Sequence, residues 1–362
     1  MLRASLVLAL LVLGCAFAAR LLEARAHDET ASAERTVQRL VDADKAQDLS
    51  VAAVRVRDFA RGDEFLYVRS KGVWRCASTF GAVAEAEQLT TLLGDFTEAR
   101  GVLRSRDPQR ADAYGFADAT RFEVSFHGPR VLEDEDEDVL LAFEVGRALK
   151  GTSRGRSFVR ERGRPEVWEI DRNARTLLER PEESNLPPLL DRRLLGGPWE
   201  GRPHGFQAVT IERPNSTIRV RYVELPPERH TPEGIGWTWQ VESSTRNGAA
   251  SPYRALGYTA FALHARYVGF ANPRQAEELG LLPYAARVTL EPRQGDAMHL
   301  TVGRPTPQGV SYVFHEENKM LLQIDAESAR LLAPTLEMLL DTDIANPWEL
   351  FLGLLSGGPQ AR

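Results

Sequence analysis

Phe143-Glu144-Val145-Gly146-Arg147 returns later in the chain as Leu300-Thr301-Val302-Gly303-Arg304. Two further pairs follow in the same order, namely Ser157-Phe158-Val159 with Ser311-Tyr312-Val313, and Glu169-Ile170-Asp171 with Gln323-Ile324-Asp325. The separation is 157 positions at the glycines and 154 positions at the serines and the aspartates. Because order, residue type and spacing recur together, these predicted strands indicate an internal duplication.

Further landmarks recur before these strands and keep their order. Three of them are pairs separated by 165 or 166 positions: Trp74 with Trp239, Gly115 with Gly280, and Arg100 with Arg266. A helical pattern lies between the tryptophan and the arginine of each copy. In the first copy, apolar residues at i, i+3, i+4 and i+7 predict a helix over Ala82 to Ala99, and its counterpart covers Tyr253 to Leu263.

The sequence therefore predicts an α+β fold of two tandem homologous units, each a mostly antiparallel sheet packed with a helix. The predicted segments are a leader at 1–19, a tether at 20–48, a first unit at 49–195, a Gly/Pro-rich joint at 196–205, a second unit at 206–345 and a C-terminal tail helix at 346–362. Short helices are also predicted over Leu189–Arg192 and Ala329–Leu340.

Composition limits the classes of function. Hydrophobic residues make up 43% of the chain and charged residues 27%, which is typical of a folded globular protein. The formal net charge of −6 disfavours a general nucleic-acid binder, which usually carries a basic stripe. No nucleic-acid partner is therefore expected.

The first 19 residues read as an export or anchoring signal, with Arg3 before an apolar run and small residues after it. Three alternatives stay open. Val12-Leu13-Gly14-Cys15 resembles a bacterial lipobox, in which Cys15 is lipidated. Ala16-Phe17-Ala18 offers a cleavage site for a secreted soluble protein, and an uncleaved anchor is the third option. All three place the body outside the cytoplasm, in the cell envelope, and the first and third anchor it to a membrane.

The candidate catalytic and metal-binding motifs lack the flanking structure or residue spacing that their chemistry requires. Gly151-Thr152-Ser153-Arg154-Gly155 fits the nucleophile elbow of hydrolases, but the residues after Ser153 predict a strand where that motif requires a helix. The acidic run 133–138 lacks the alternation of a calcium loop, and the seven histidines form no zinc motif. We therefore expect no catalytic residue, no metal ligand and no cofactor.

The recurring residues favour structural roles. Trp74 and Trp239 occupy the same place in each copy, as an indole packed under a helix would, although an indole can also stack on a ligand. Arg100 and Arg266 each follow a predicted helix, where a cation is favoured, so we expect them to bridge helix and strand. Gly115, Gly280, Gly146 and Gly303 complete the predicted set of structural anchors.

This order of elements resembles the bacterial "domain of unknown function 4340" (DUF4340) repeats over about residues 50–340. The first copy carries the resemblance at Gly72, Trp74, Arg100, Val102, Tyr114, Gly115, Phe116, Val145, Gly146, Phe158 and Val159. The second copy carries it at Gly236, Trp239, Arg266, Val268, Leu279, Gly280, Leu281, Val302, Gly303, Tyr312 and Val313. The chain departs from the family at Phe116, where leucine is usual, and around Pro226-Pro227.

The resemblance implies a membrane-anchored cell-envelope protein, often associated with gliding-type ABC transport systems, without established catalytic residues. We expect a non-catalytic accessory or scaffold protein that is held at a membrane by its N-terminus and binds protein partners. Two alternatives are an envelope serine hydrolase that uses Ser153 and a module that binds a ligand in a cleft between the units.

Overall fold

The computed structural model describes residues 37–129, 138–149, 155–196 and 206–354. The chain divides into two compact units. One ends at Ser78 and resumes over Ala84–Arg180, and the other holds Thr79–Val83 and the chain from Pro181 onward. Two antiparallel sheets with a few helices give the α+β class that the sequence predicts.

The first sheet has ten strands. In chain order they are β1 (Gln38–Arg39), β2 (Ala53–Asp58), β3 (Asp63–Ser70), β4 (Val73–Cys76), β5 (Ala82–Val83), β6 (Arg100–Ser105), β7 (Phe122–His127), β8 (Val139–Leu149), β9 (Arg156–Glu161) and β10 (Val167–Ile170). Their spatial order is β1-β6-β10-β9-β8-β7-β2-β3-β4-β5. The centre of the sheet therefore joins β2 to β7, which lie far apart in the sequence.

The second sheet has nine strands. They are β11 (Phe206–Arg213), β12 (Ser216–Glu224), β13 (Trp237–Ser243), β14 (Gly248–Ala249), β15 (Gly269–Ala271), β16 (Ala286–Pro292), β17 (Met298–Val302), β18 (Val310–His315) and β19 (Met320–Asp325). Their spatial order is β14-β13-β12-β11-β16-β17-β18-β19-β15.

In the described ranges, the α-helices are α1 (Ala43–Gln47), α2 (Ala86–Thr97), α3 (Arg175–Leu178), α4 (Pro252–His264), α5 (Ala326–Leu332) and α6 (Leu336–Leu340). Short 3₁₀ segments span Pro108–Tyr114, Pro227–Arg229, Pro273–Gln275 and Glu349–Leu354, and a π turn spans Glu277–Leu281. The helix predicted over Ala329–Leu340 is two helices, because Pro334 lies between them and cannot continue the hydrogen-bond ladder.

Two other local predictions differ from the structure. Leu189–Arg192 is not a helix, and Leu189 has a φ of 58°. The tether predicted over residues 20–48 is folded in its described part, where β1 and α1 form and Val41 is buried. The leader, residues 20–36 of the tether and residues 197–205 of the joint lie outside the described residues.

Each unit has an aromatic core beneath its long helix. In the first, Phe96 of α2 stacks on Phe143 at 4.8 Å and meets the edge of Phe126 at 5.7 Å. In the second, the ring of Tyr258 in α4 lies 5.2 Å from Trp239 and 5.5 Å from Trp348. Edge contacts of this kind add to the burial of large apolar area.

The C-terminal segment completes the second core. Arg254, buried in α4, donates hydrogen bonds to the carbonyl oxygens of Met338 and Ile344, and its burial lowers its pKa. Trp348 is fully buried against α4 at Gly257, where an added Cβ would lie 2.8 Å from the Trp348 Cβ. In the described part of the predicted tail helix, residues 346–354, the structure has a short 3₁₀ segment preceded by the buried Trp348.

Candidate functional site

The two predicted glycine anchors of the first unit lie against each other. Gly115 ends the 3₁₀ segment with a φ of 84°, a left-handed conformation that favours glycine. A Cβ added to it would lie 2.5 Å from the Arg147 nitrogen, and one added to Gly146 would lie 2.3 Å from the Tyr114 carbonyl oxygen. The two glycines therefore allow this turn to approach β8 closely.

The second unit brings its two glycine anchors together in a similar way. Gly280 has a φ of 82°, and its carbonyl oxygen accepts a hydrogen bond from the Arg304 nitrogen at 3.2 Å. A Cβ on Gly303 would lie 3.1 Å from the Tyr312 carbonyl oxygen and 3.2 Å from that of Gly280. Gly303 and Gly280 thus make contacts comparable to those of Gly146 and Gly115, which precede them by 157 and 165 positions.

Gly146→Ala is expected to lower the free energy of unfolding by roughly 2–3 kcal/mol, because the new methyl group overlaps backbone that cannot move freely. Chemical denaturation followed by circular dichroism measures the change. Gly94→Ala is the control, since it lies in α2 with only ordinary contacts around its Cβ, and the gain in helix propensity should stabilise by up to about 1 kcal/mol. Equal losses for the two variants would contradict the close approach.

The two tryptophan anchors differ in burial. Trp239 of β13 is 1% exposed, whereas Trp74 of β4 is half-buried. Both lie in the strand that follows the first hairpin of their sheet, and Trp239 contacts a tyrosine of the long helix. An indole as enclosed as that of Trp239 offers no free face to a ligand.

The arginine anchors contribute through their main chain. The side chains of Arg100 and Arg266 are exposed. The Arg100 nitrogen donates to a carboxylate oxygen of Asp171 at 3.0 Å, and the Asp171 nitrogen donates back to the Arg100 carbonyl oxygen at 3.0 Å. This contact joins the start of β6 to the residue after β10, through backbone groups with an aspartate as the side-chain partner. It does not link the helix to a strand.

Sequence reasoning missed the strands that open each unit. In the first, Arg39 of β1 pairs with Arg100, and the Leu40 nitrogen donates to the Ala99 carbonyl oxygen at 3.0 Å. In the second, Arg193 forms a single antiparallel bridge with Arg266. The signal that could have revealed them is the recurrence of Arg39-Leu40-Val41 as Arg193-Leu194-Leu195, 154 positions later.

A ladder of ion pairs crosses the first sheet on β2, β7, β8 and β9. Glu123 lies 3.6 Å from Arg57 and 3.7 Å from Arg162, and Glu144 lies 2.7 Å from Arg121 and contacts Arg160. Both glutamate side chains are 8% exposed. Buried charges are tolerated only when they are paired, and here each carboxylate has two arginine partners. Both buried glutamate charges are therefore compensated by arginines of the same sheet or of the residues next to its strands.

Asp95 is a buried carboxyl group near the end of α2, where burial raises its pKa to about 6 and Arg172 partly offsets that shift. A folded-state pKa above the unfolded value means that ionisation disfavours folding. The penalty is absent near pH 4 and grows as the pH rises to about 6. It then stays constant at higher pH.

Asp95→Asn is therefore expected to stabilise the protein at pH 7–8 by on the order of 2 kcal/mol, and to have little effect near pH 4. Thermal unfolding across this pH range measures the difference. Glu87→Gln, on the exposed side of the same helix, should stay within about 0.5 kcal/mol at every pH. A gain from Asp95→Asn that does not vary with pH would contradict the assignment.

Two clusters of polar residues in the second unit are candidate binding features. A groove of about 600 Å³ lies at the ends of β11–β13, and its Arg213 donates to the carbonyl oxygens of Ala333 and Pro334 at 2.7 and 2.9 Å. Elsewhere, Glu317 accepts a hydrogen bond from His299 at 2.7 Å and lies 3.2 Å from His315. Within the described ranges, no three His, Cys, Asp and Glu side chains are arranged to hold a metal ion.

Several predicted features lie outside the described residues: Ser153 with most of its motif, Cys15 with the leader, and residues 133–137 of the acidic run. Cys76 is a buried cysteine. None of the helices in the described ranges has the length and hydropathy that crossing a bilayer requires.

No curated protein and no solved structure matches the chain. One family model does, and its description is "Domain of unknown function (DUF4340)". The matched segment begins at Trp74 in the first unit and ends at Ile218 in the second, so it crosses the boundary between them. The expected family is thereby confirmed for this segment: residues 74–218 match the DUF4340 family model.

Proposed function

We propose that the two units arose by tandem duplication of one sheet-and-helix block. The strand orders support this proposal. From its β6 end, without β1, the first sheet runs β6-β10-β9-β8-β7-β2-β3-β4-β5, and from its β15 end the second runs β15-β19-β18-β17-β16-β11-β12-β13-β14. Each strand from β2 to β10 thus has the same neighbours as the strand nine numbers later, so that β2 corresponds to β11 and β10 to β19. The paired glycines of each unit give further support at the level of single residues.

The family match also favours treating the two units as one functional body. It covers most of the first unit, the joint, the strand β11 and the first three residues of β12. Because the family match spans the joint, we infer that members of the family carry both units in this order.

On this basis the proposed function is a non-catalytic accessory or scaffold protein of the cell envelope, held at a membrane by its N-terminus. The observation that supports it best is that the recurring residues have structural roles. Gly146, Gly303 and Trp239 serve packing and close approach within a sheet, as repeated structural parts do. The leader supports the envelope location, and the proposed association with a gliding-type ABC transport system rests on the family alone.

Cys15→Ser tests the membrane tether. If Cys15 carries lipid, the variant should leave the membrane fraction, because lipid chains supply most of the binding energy of such an anchor. Ultracentrifugation of cell envelopes with immunodetection measures the distribution. Cys76→Ser is the matched control, since its thiol is buried and should not affect fractionation. Unchanged fractionation of Cys15→Ser would reject lipidation.

Partner capture tests the accessory role. The full-length protein, cross-linked in intact cells and purified from solubilised membranes, is expected to retain components of an ABC transporter. A Gly146→Ala variant that lowers the amount of folded protein should lower the captured partner in proportion. Recovery of the same partner by a protein that lacks residues 49–345 would assign binding to the tether and refute the scaffold role.

A further inference from the structure

The outer edge of the first sheet is closed by the short strand β1. Gln38 pairs with Gly101 and Arg39 with Arg100, and the Leu40 nitrogen donates to the Ala99 carbonyl oxygen at 3.0 Å. The Gln38 and Arg39 side chains are exposed, Leu40 is only half-buried, and Val41 is the one buried residue of the segment 38–41. Few buried contacts and an exposed backbone are the features of segments that open locally at low cost.

The second sheet is closed by a related segment. The Leu194 nitrogen donates to the Ala265 carbonyl oxygen at 2.7 Å, and the Tyr267 nitrogen donates to the Arg192 carbonyl oxygen at 3.0 Å. Leu194 is 2% exposed. Both receiving edges begin with Ala-Arg, and both closing segments read Arg-Leu followed by an aliphatic residue.

The two edge segments, 38–41 in the first unit and 192–195 in the second, differ in how their arginine charges are compensated. Each sets an arginine opposite another arginine, Arg39 against Arg100 and Arg193 against Arg266. Like charges directly across two strands are destabilising. Asp191 relieves this in the second unit, because it binds Arg193 through two hydrogen bonds of 2.8 Å. Within the described part of the chain, no carboxylate forms an ion pair with the guanidinium of Arg39 or Arg100, and the Asp171 carboxylate accepts its hydrogen bond from the Arg100 backbone nitrogen.

The edge at Ala99–Gly101 therefore accepts Arg-Leu-aliphatic segments, and its own segment is the more weakly held of the two. Strand addition to a sheet edge takes its affinity from main-chain hydrogen bonds, which any chain with this segment can supply. We propose that this edge exchanges its strand between molecules, so that residues 38–41 of one copy bind Ala99–Gly101 of a second copy. Exchange of an identical element is a common route to homodimers.

Two single-cysteine variants test the exchange. Arg39→Cys and Arg100→Cys place one thiol on each side of a directly paired position, at the separation that a disulfide requires. Both are made in full-length protein with Cys15→Ser, so that the introduced thiol is the exposed one. After mixing and mild oxidation, we expect a peptide cross-linked between positions 39 and 100, with a yield that rises with protein concentration.

The control mixture pairs Arg39→Cys with Arg104→Cys, which lies on the same strand but out of register and should give no such cross-link. The double variant Arg39→Cys/Arg100→Cys should form its disulfide within one chain, and once oxidised it should lose dimer formation in gel filtration. If the double variant closes fully while the mixed single variants yield no cross-link, β1 stays on its own molecule and the proposal fails. Failure of the double variant to close would overturn it as well, since the pairing itself would be absent.

Discussion

Trp239→Ala is expected to lower the free energy of unfolding by roughly 3–5 kcal/mol, the range for removing a fully buried aromatic side chain. The indole is 1% exposed and meets the ring of Tyr258, which in turn contacts Trp348. Loss of the indole leaves a cavity beneath α4 that these rings can fill only in part. Urea denaturation followed by fluorescence and circular dichroism measures the loss.

Trp74→Ala is the matched control, because it removes the same side chain from the corresponding strand of the other sheet. Trp74 is half-buried, so the expected loss is smaller, roughly 1–2 kcal/mol. Sequence reasoning treats the two tryptophans alike, whereas the structure separates them by burial. Equal losses would show that burial does not decide their contribution, and a near-neutral Trp239→Ala would contradict its place in the core.

The sequence predicts most of the long strands because their apolar residues recur with a clear period. Phe143-Glu144-Val145-Gly146-Arg147 lies within β8, and Leu300-Thr301-Val302 lies within β17. The helices α2 and α4 are predicted to within a few residues by the spacing of Leu89, Leu92 and Phe96 and by its counterpart. Local patterns thus suffice for elements that are long enough to show a period.

Short and irregular elements escape this reasoning. The strand β1 has two residues, too few for alternation, and only its partner on β6 defines it. Leu189 adopts a positive φ that leucine seldom takes, so no local rule predicts the turn there. Pro334 does carry a local signal, since a proline inside a helical pattern ends or kinks the helix, and the single helix predicted over Ala329–Leu340 is therefore wrong.

The ion pairs of the first sheet could not be predicted because they depend on strand order. Arg57 meets Glu123 only because β2 lies beside β7, and Glu144 meets Arg160 only because β8 lies beside β9. The sequence shows which residues are charged, but it does not show which of them become partners. The glycine pairs are intermediate, since recurrence marked Gly115 and Gly146 as structural while their mutual contact appeared only in the fold.

Arg180→Ala is expected to destabilise the first unit by roughly 3–5 kcal/mol, the range for breaking a buried ion pair on one side. The Arg180 side chain is 2% exposed, and its Nη2 atom lies 3.0 Å from Asp58 and 2.6 Å from Asp63. Asp58 is 5% exposed, so removal of the guanidinium leaves its charge buried without this partner. Chemical denaturation measures the loss, and Arg164→Ala, an exposed arginine paired with Glu161, should change it by less than about 1 kcal/mol.

A double-mutant cycle distinguishes the penalty of a stranded charge from the value of the pair. Asp58→Asn removes the buried charge, so Arg180→Met combined with Asp58→Asn should cost less than the sum of the two single variants. Because Arg180 also lies over the ring of Phe65 at 4.8 Å, methionine keeps part of that contact while it removes the charge. Strict additivity would mean that the pair of Arg180 and Asp58 has no measurable coupling, and Arg180 would then stabilise the hairpin of β2 and β3 through Asp63 and the Phe65 ring alone.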